Sequence, residues 1–219
     1  MKNQNVIEGN PISGKRIIFL GSSVTYGAAS KGVSFADFIA QRNGCEAIKE
    51  AVSGTTLMDN GSDSYVSRLR MLNAEGKIDL FLCQLSTNDA SRRSPVGTLS
   101  ENFSMEDFDT KTTAGAIEYI IAYAKKKYGC TVVFYTSPRY DSKEYGKLVE
   151  LLEKIRKKWG ISVIDMWNDD SFNKISDEQR AKYLADPIHP TKAGYLEWWT
   201  PYFESSVSEI LKEKEKTWN

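Results

Sequence analysis

The chain has a single histidine, and no two of its cysteines stand in a C-x-x-C spacing. Zinc sites are built from clusters of such residues, so no metal constellation of the usual kind is legible. Its three cysteines, Cys45, Cys83 and Cys130, are odd in number and far apart. That argues against a disulfide scaffold and suits reduced thiols in a cytoplasmic protein. An excess of one charge is also missing, because 29 Lys and Arg balance 29 Asp and Glu. A neutral total gives no general pull toward nucleic acid or an anionic membrane. No run approaches the roughly eighteen apolar residues of a membrane span. The N-terminal MKNQNVIEGNPISGKR lacks the apolar stretch of a secretory signal. The expectation is a cytoplasmic protein with no nucleic-acid partner and no stable membrane association. Oligomeric state has no signature here.

What is present is an alternation. At 219 residues with 41% hydrophobic content, one α/β domain over 1–219, with a core from about 15 to 211, is an ordinary size. Five short apolar runs read as strands: Arg16–Leu20, Ala47–Val52, Asp79–Leu85, Thr131–Thr136 and Ile161–Met166. The third, DLFLCQL, is nearly continuous, as in a strand buried on both faces. Between and after them lie helical patterns. Ala116, Ile117, Ile120, Ile121 and Ala124 recur at helical spacing before Lys125–Lys127 and Gly129, a helix stop. Leu148, Leu151, Leu152, Ile155 and Trp159 repeat the pattern, with Asp141 and Glu144 spaced like a capping box. The aromatic C-terminal stretch from Trp198 to Leu211 contains Pro201, which should kink or restart its helix. Packing of that stretch against the sheet is favoured over contact with lipid. The run Lys212–Lys216 reads as a solvated tail. Helices between strands imply crossovers and a mostly parallel sheet. Such sheets bind ligands beyond the carboxyl ends of their strands.

Polar clusters fall at those ends. GSSVTYG (Gly21–Gly27) follows the first strand, SGTT (Ser53–Thr56) the second and STND (Ser86–Asp89) the third; DPIHP (Asp186–Pro190) comes after the fifth. Asp followed by Pro favours a turn that brings residues three apart within about 7 Å. Asp186 can therefore reach one nitrogen of His189, fix its tautomer and support the imidazolium. A serine hydroxyl needs such a base to become a nucleophile, and Ser23 sits on the turn that Gly21 permits. Gly54 offers an unobstructed backbone N–H and Asn88 a side-chain amide, donors of the kind that hold an oxyanion. Taken alone, each piece also suits a cap or a turn. Asp89 fits a loop-holding role.

In order, the pieces resemble the four blocks of the SGNH (GDSL-like) hydrolases. FLGSSVTYG is similar to FxGDS followed by [IVL]-T-x-G, AVSGTTL to the second block, QLSTNDA to GxND, and DPIHPTKAGY to DxxHP followed by a glycine. The resemblance runs from about Arg16 to Tyr195. It implies a three-layer, flavodoxin-like fold with five parallel strands in the order 2-1-3-4-5. It also implies Ser23 as nucleophile with Asp186 and His189 as triad partners. The oxyanion hole would come from the Ser23 amide, Gly54 and Asn88. Two residues depart from the pattern: Ser22 stands for the usual Asp, and Ser86 for the usual Gly. The first creates a serine doublet, which the register against Val24-Thr25-Tyr26-Gly27 resolves toward Ser23. Ser22 and Arg92 are candidate substrate contacts, with Arg93 beside them.

The expected activity is hydrolysis of a small-molecule carboxylic ester through an acyl-enzyme, with no cofactor and no metal. A small acetyl ester of a carbohydrate or other polar alcohol suits a balanced chain best. Acyl transfer, a lysophospholipase or thioesterase activity, and a silent binding module on the same fold stay open. A phosphate or flavin binder ranks last, since no G-x-G-x-x-G follows a strand.

Overall fold

A computed structural model describes residues 9–217. The first half of the segment read for a signal lies outside the described residues, as do Trp218 and Asn219. Strand β1 spans Arg16–Gly21, β2 Glu46–Ala51, β3 Leu80–Gln84, β4 Thr131–Tyr135 and β5 Ser162–Ile164. All pairs are parallel and the order is β2-β1-β3-β4-β5. The apolar runs become strands because the inner ones are buried on both faces, where alternate residues feed separate cores. Ile18, Leu20, Phe81, Cys83, Val132 and Phe134 point to one side. Ile17, Phe19, Leu80, Leu82, Val133 and Tyr135 point to the other.

Helices cover both faces. Introduced in chain order they are α1 (Ser23–Tyr26), α2 (Phe35–Asn43), α3 (Tyr65–Met71), α4 (Thr87–Ser91), α5 (Thr113–Tyr128) and α6 (Lys143–Trp159). Then come α7 (Asp170–Asn173), α8 (Asp177–Tyr183) and α9 (Thr200–Thr217). The apolar stripes of α3, α5 and α6 close the first core, and α2 and α9 close the second. The aromatic C-terminus is core, as its pattern suggested: Phe35 stacks on Phe203 at 4.1 Å between ring centroids and meets Trp199 at 5.7 Å. Pro201 does mark a restart. A π-helical turn over Gly194–Trp199 hands over to α9, with the Thr200 N–H donating to the carbonyl five residues back, at Tyr195.

The cap of α6 differs from the spacing-based reading. Ser142, not Asp141, accepts from the Tyr145 N–H at 3.1 Å. Both residue types cap well, so spacing alone was open to a one-residue shift. That shift leaves the Asp141 carboxylate exposed. The cysteines are free thiols, Cys45 and Cys83 buried and Cys130 partly so.

Candidate active site

The nucleophile turn depends on close packing beneath it. A Cβ at Gly21 would lie 1.7 Å from Thr25 Oγ1, so only glycine lets α1 fold back over the end of β1. Ser23 opens α1, in the first turn of a helix, where amide N–H groups lack intrahelical acceptors. Its hydroxyl lies 2.8 Å from His189 Nε2. His189 Nδ1 donates to Asp186 Oδ2 at 2.7 Å. The partners set the tautomer, with the proton on Nδ1 and Nε2 free to accept from Ser23. Asp186 Oδ1 takes the Ile188 and His189 backbone N–H groups, each at 2.8 Å. Burial pushes the Asp186 carboxyl up, but those two amides and the imidazole outweigh it and hold it below the ordinary carboxylate range. The DPIH turn is pinned at its base by Ala185 N–H on the His189 carbonyl and a Leu184–Pro190 bridge.

Gly54 adopts φ +80°, a left-handed conformation that glycine takes without strain, and the space a Cβ would fill is open apart from Arg92 at 3.9 Å. Asn88 Nδ2 donates one hydrogen to the Thr55 carbonyl at 2.9 Å, which orients the amide and leaves its second hydrogen for another acceptor. The sheet order sets the ends of β2, β1 and β3 side by side, so Gly54, Ser23 and Asn88 share one edge.

The two candidate substrate contacts meet different fates. Ser22 is fully buried, and both its backbone N–H and its hydroxyl donate to Gln84 Oε1. It braces the turn from below and does not face an incoming ligand, which corrects the expectation for it. Arg92 is exposed beside the site and donates to the Gly54 carbonyl at 2.7 Å.

Among the described residues, no group of three His, Cys, Asp or Glu is placed to hold a metal. No helix among the described residues is long and apolar enough to cross a membrane.

A model of the GDSL-like lipase/acylhydrolase family matches residues 19–196. The chain belongs to that family. Its members are serine ester hydrolases, and the enzyme class of this chain follows. Solved structures agree in fold. A protein from Lactobacillus plantarum superposes with a TM-score of 0.71 at 18% identity, over 91% of this chain and 97% of its own. A Bacteroides ovatus protein described as a GDSL-like lipase gives 0.63 at 20%, over 90% and 99%. A variant of an acetyl-xylooligosaccharide esterase from Geobacillus gives 0.58 at 14%, over 89% and 94%. No curated protein sequence matches this chain.

Within the family pattern, Ser86 acquires a structural meaning. Its buried hydroxyl caps α4 by accepting from the Asn88 and Asp89 N–H groups at 3.1 and 3.3 Å. Asp89 is buried as well and accepts from Leu57 N, Met58 N and Thr113 Oγ1. It thereby ties the loop that carries Gly54 to α4, although burial pushes its carboxyl up. Two supporting residues escaped the sequence reading. Gln84 gathers Ser22 and Thr25 on one oxygen, with Thr25 Oγ1 at 2.7 Å. Arg68, on α3, donates to the carbonyls of Gly21, Glu50 and Asp63, all at 2.8 Å. One guanidinium thus clamps the ends of β1 and β2.

Asp89→Asn is expected to loosen this frame. One of the Leu57 and Met58 amides would then face an NH2 group in place of an acceptor, at a cost of about 1–3 kcal/mol. Urea unfolding checks the stability, and a parallel fall in kcat would report displacement of the Gly54 loop. An unchanged unfolding midpoint would remove the tethering role.

Proposed function

We propose that this family member hydrolyses a small acyl ester, an acetyl ester above all, of a polar alcohol such as a carbohydrate, through a covalent acyl-enzyme. The observation that carries the reading is the unbroken hydrogen-bonded line from Ser23 through His189 to Asp186. His189 Nε2 takes the Ser23 proton as Oγ attacks the ester carbonyl carbon. The carbonyl oxygen becomes an oxyanion, received by the Ser23 and Gly54 backbone N–H groups and the second Asn88 hydrogen. Imidazolium, supported by the ionised Asp186, then gives that proton to the departing alkoxide. Water repeats the sequence on the acyl-enzyme, releasing the acid and restoring Ser23. Each oxyanion donor in such a site is typically worth about a hundred- to a thousandfold in rate. Free thiols at Cys45, Cys83 and Cys130 suit a reducing, cytoplasmic setting. One structural neighbour is by name an acetyl-xylooligosaccharide esterase, and the acetylated-sugar class is in keeping with that neighbour.

Turnover of 4-nitrophenyl acetate, butyrate and octanoate tests the acyl side. The expected order of kcat/KM is acetate, then butyrate, then octanoate. Efficiency that rises with chain length would replace this reading with a lysophospholipase or long-chain thioesterase. Product analysis with an added alcohol acceptor separates hydrolysis from transfer.

A further inference from the structure

A cleft of about 600 Å³ opens beside the triad and borders Asp186 and Pro187. It lies between the segment after β4, which carries Arg139, Tyr140 and Asp141, and helix α8, which carries Asp177, Arg180 and Ala181. The volume is that of a small-molecule site. We propose that this cleft is the subsite for the alcohol half of the ester and that its occupant is a neutral sugar, with Arg180 and Asp177 selecting it through its hydroxyl groups. The inference rests on the esterase reading above and assigns the part of the substrate that the triad does not touch.

Position comes first. The strand ends run β2, β1, β3, β4 along the sheet edge, so Gly54 after β2 and Arg139 after β4 lie on opposite flanks of Ser23. Gly54 belongs to the side that receives the carbonyl oxygen. The alcohol must leave past His189, which returns its proton, and the loop that carries His189 also carries Asp186 and Pro187 at the cleft margin.

Chemistry selects the occupant. The lining is mostly apolar, with Tyr140, Leu184, Ala181 and Pro187 contributing, which suits the C–H faces of a pyranose ring. Four further side chains bring charge: Arg139 and Arg180 against Asp141 and Asp177. Arg139 is held in place by the Trp167 carbonyl and Asp170. The side chains of Arg180, Asp141 and Asp177 have no hydrogen-bond or ion-pair partner among the described residues. A long acyl chain here would strip water from these charges and give nothing back. An anionic ligand would gain from the arginines and lose to the carboxylates, with Asp186 adding to the loss. Hydroxyl groups both donate and accept, so a polyol can satisfy guanidinium and carboxylate together.

The test pairs two substrates that share the acetyl group and differ in the alcohol. One is 4-nitrophenyl acetate; the other is a panel of mono-O-acetyl methyl pyranosides of gluco, galacto and xylo configuration. Wild type should hydrolyse at least one sugar acetate. Arg180→Ala and Asp177→Asn should each raise KM for that sugar about tenfold, the scale of one hydrogen bond to a charged group. Both variants should keep 4-nitrophenyl acetate kinetics within about twofold, with Arg180→Lys partly restoring sugar KM. Unchanged sugar KM, an equal loss on both substrates, or no turnover of any sugar acetate would overturn the assignment. If Ser23→Ala still abolishes 4-nitrophenyl acetate turnover in that event, the esterase reading survives and only the subsite falls. Retained activity in Ser23→Ala would instead remove the esterase mechanism on which the subsite depends.

Discussion

Ser23→Ala is expected to lower kcat on 4-nitrophenyl acetate by on the order of 10⁵–10⁶-fold, the scale seen when a triad nucleophile is removed. Ser22→Ala is expected to cost less than about tenfold. The two hydroxyls are neighbours in sequence and opposites in environment. Ser23 Oγ stands 2.8 Å from His189 Nε2 at the mouth of the site. Ser22 Oγ is sealed inside, 3.4 Å from Gln84 Oε1. Removing the Ser22 hydroxyl leaves Gln84 Oε1 with three other donors, Ser22 N, Thr25 N and Thr25 Oγ1. The cost to stability should therefore stay near about 1 kcal/mol, an ordinary buried hydrogen bond. Neither change adds volume or charge, so both proteins should fold, and circular dichroism checks that before rates are compared. The pattern that would sink the assignment is its inverse, with Ser22→Ala inactive and Ser23→Ala near wild type.

The register argument that singles out Ser23 came from the resemblance to the family's first block, and it was legible because that block is made of residues adjacent in the chain. The same holds for the other site elements. Asp186 and His189 are three apart and meet through one turn, and Gly54 and Asn88 each follow a strand. A parallel sheet then brings separate blocks to one edge without any long-range pairing having to be guessed. The strand order itself came from family resemblance, since apolar runs carry no order. Among the strands, β3 was the plainest, being buried along its whole length, whereas every residue of the edge strand β2 is only partly buried.

What stayed hidden is the support beneath the site. Arg68 acts on backbone carbonyls, Gly21 among them at a separation of 47 residues, and carbonyls leave no side-chain signature. Gln84 did leave one: a polar residue inside DLFLCQL, buried in the sheet with its oxygen under the nucleophile turn. Read as an interruption of an apolar run, it asks for a partner, and that partner sits 62 residues away. Ser86, which the family pattern casts as a departure, is a cap that makes its own compensation. The cleft beside Asp186 was equally out of reach, since α7 and α8 are short and carry too little apolar periodicity to announce themselves.

Asp186→Asn should reduce kcat by about 10⁴-fold while leaving the fold intact, because it reverses one hydrogen bond and preserves the rest. The asparagine oxygen can keep the two acceptor contacts that Asp186 Oδ1 makes with the Ile188 and His189 amides. That leaves its NH2 group where Oδ2 now meets His189 Nδ1 at 2.7 Å. Two donors cannot face each other, so the imidazole must move its proton to Nε2. Nε2 then presents a hydrogen to Ser23 Oγ when the reaction needs it to accept one. The imidazolium formed during attack would also lose its counter-charge. In wild type that counter-charge is dependable: the backbone amides and the imidazole hold the Asp186 carboxyl below its ordinary range. A carboxyl depressed in the folded state contributes stability above its unfolded pKa of about 4 and loses it as pH falls further. The Asp186 counter-charge therefore persists to lower pH than an ordinary carboxylate would keep it. Steady-state kinetics on 4-nitrophenyl acetate should place the loss in kcat, with KM little changed, because the substitution alters proton transfer through His189 and keeps the size and position of the side chain. Wild-type kcat in Asp186→Asn would mean that His189 is oriented by something else and that the Ser23–His189–Asp186 line is not the working machinery.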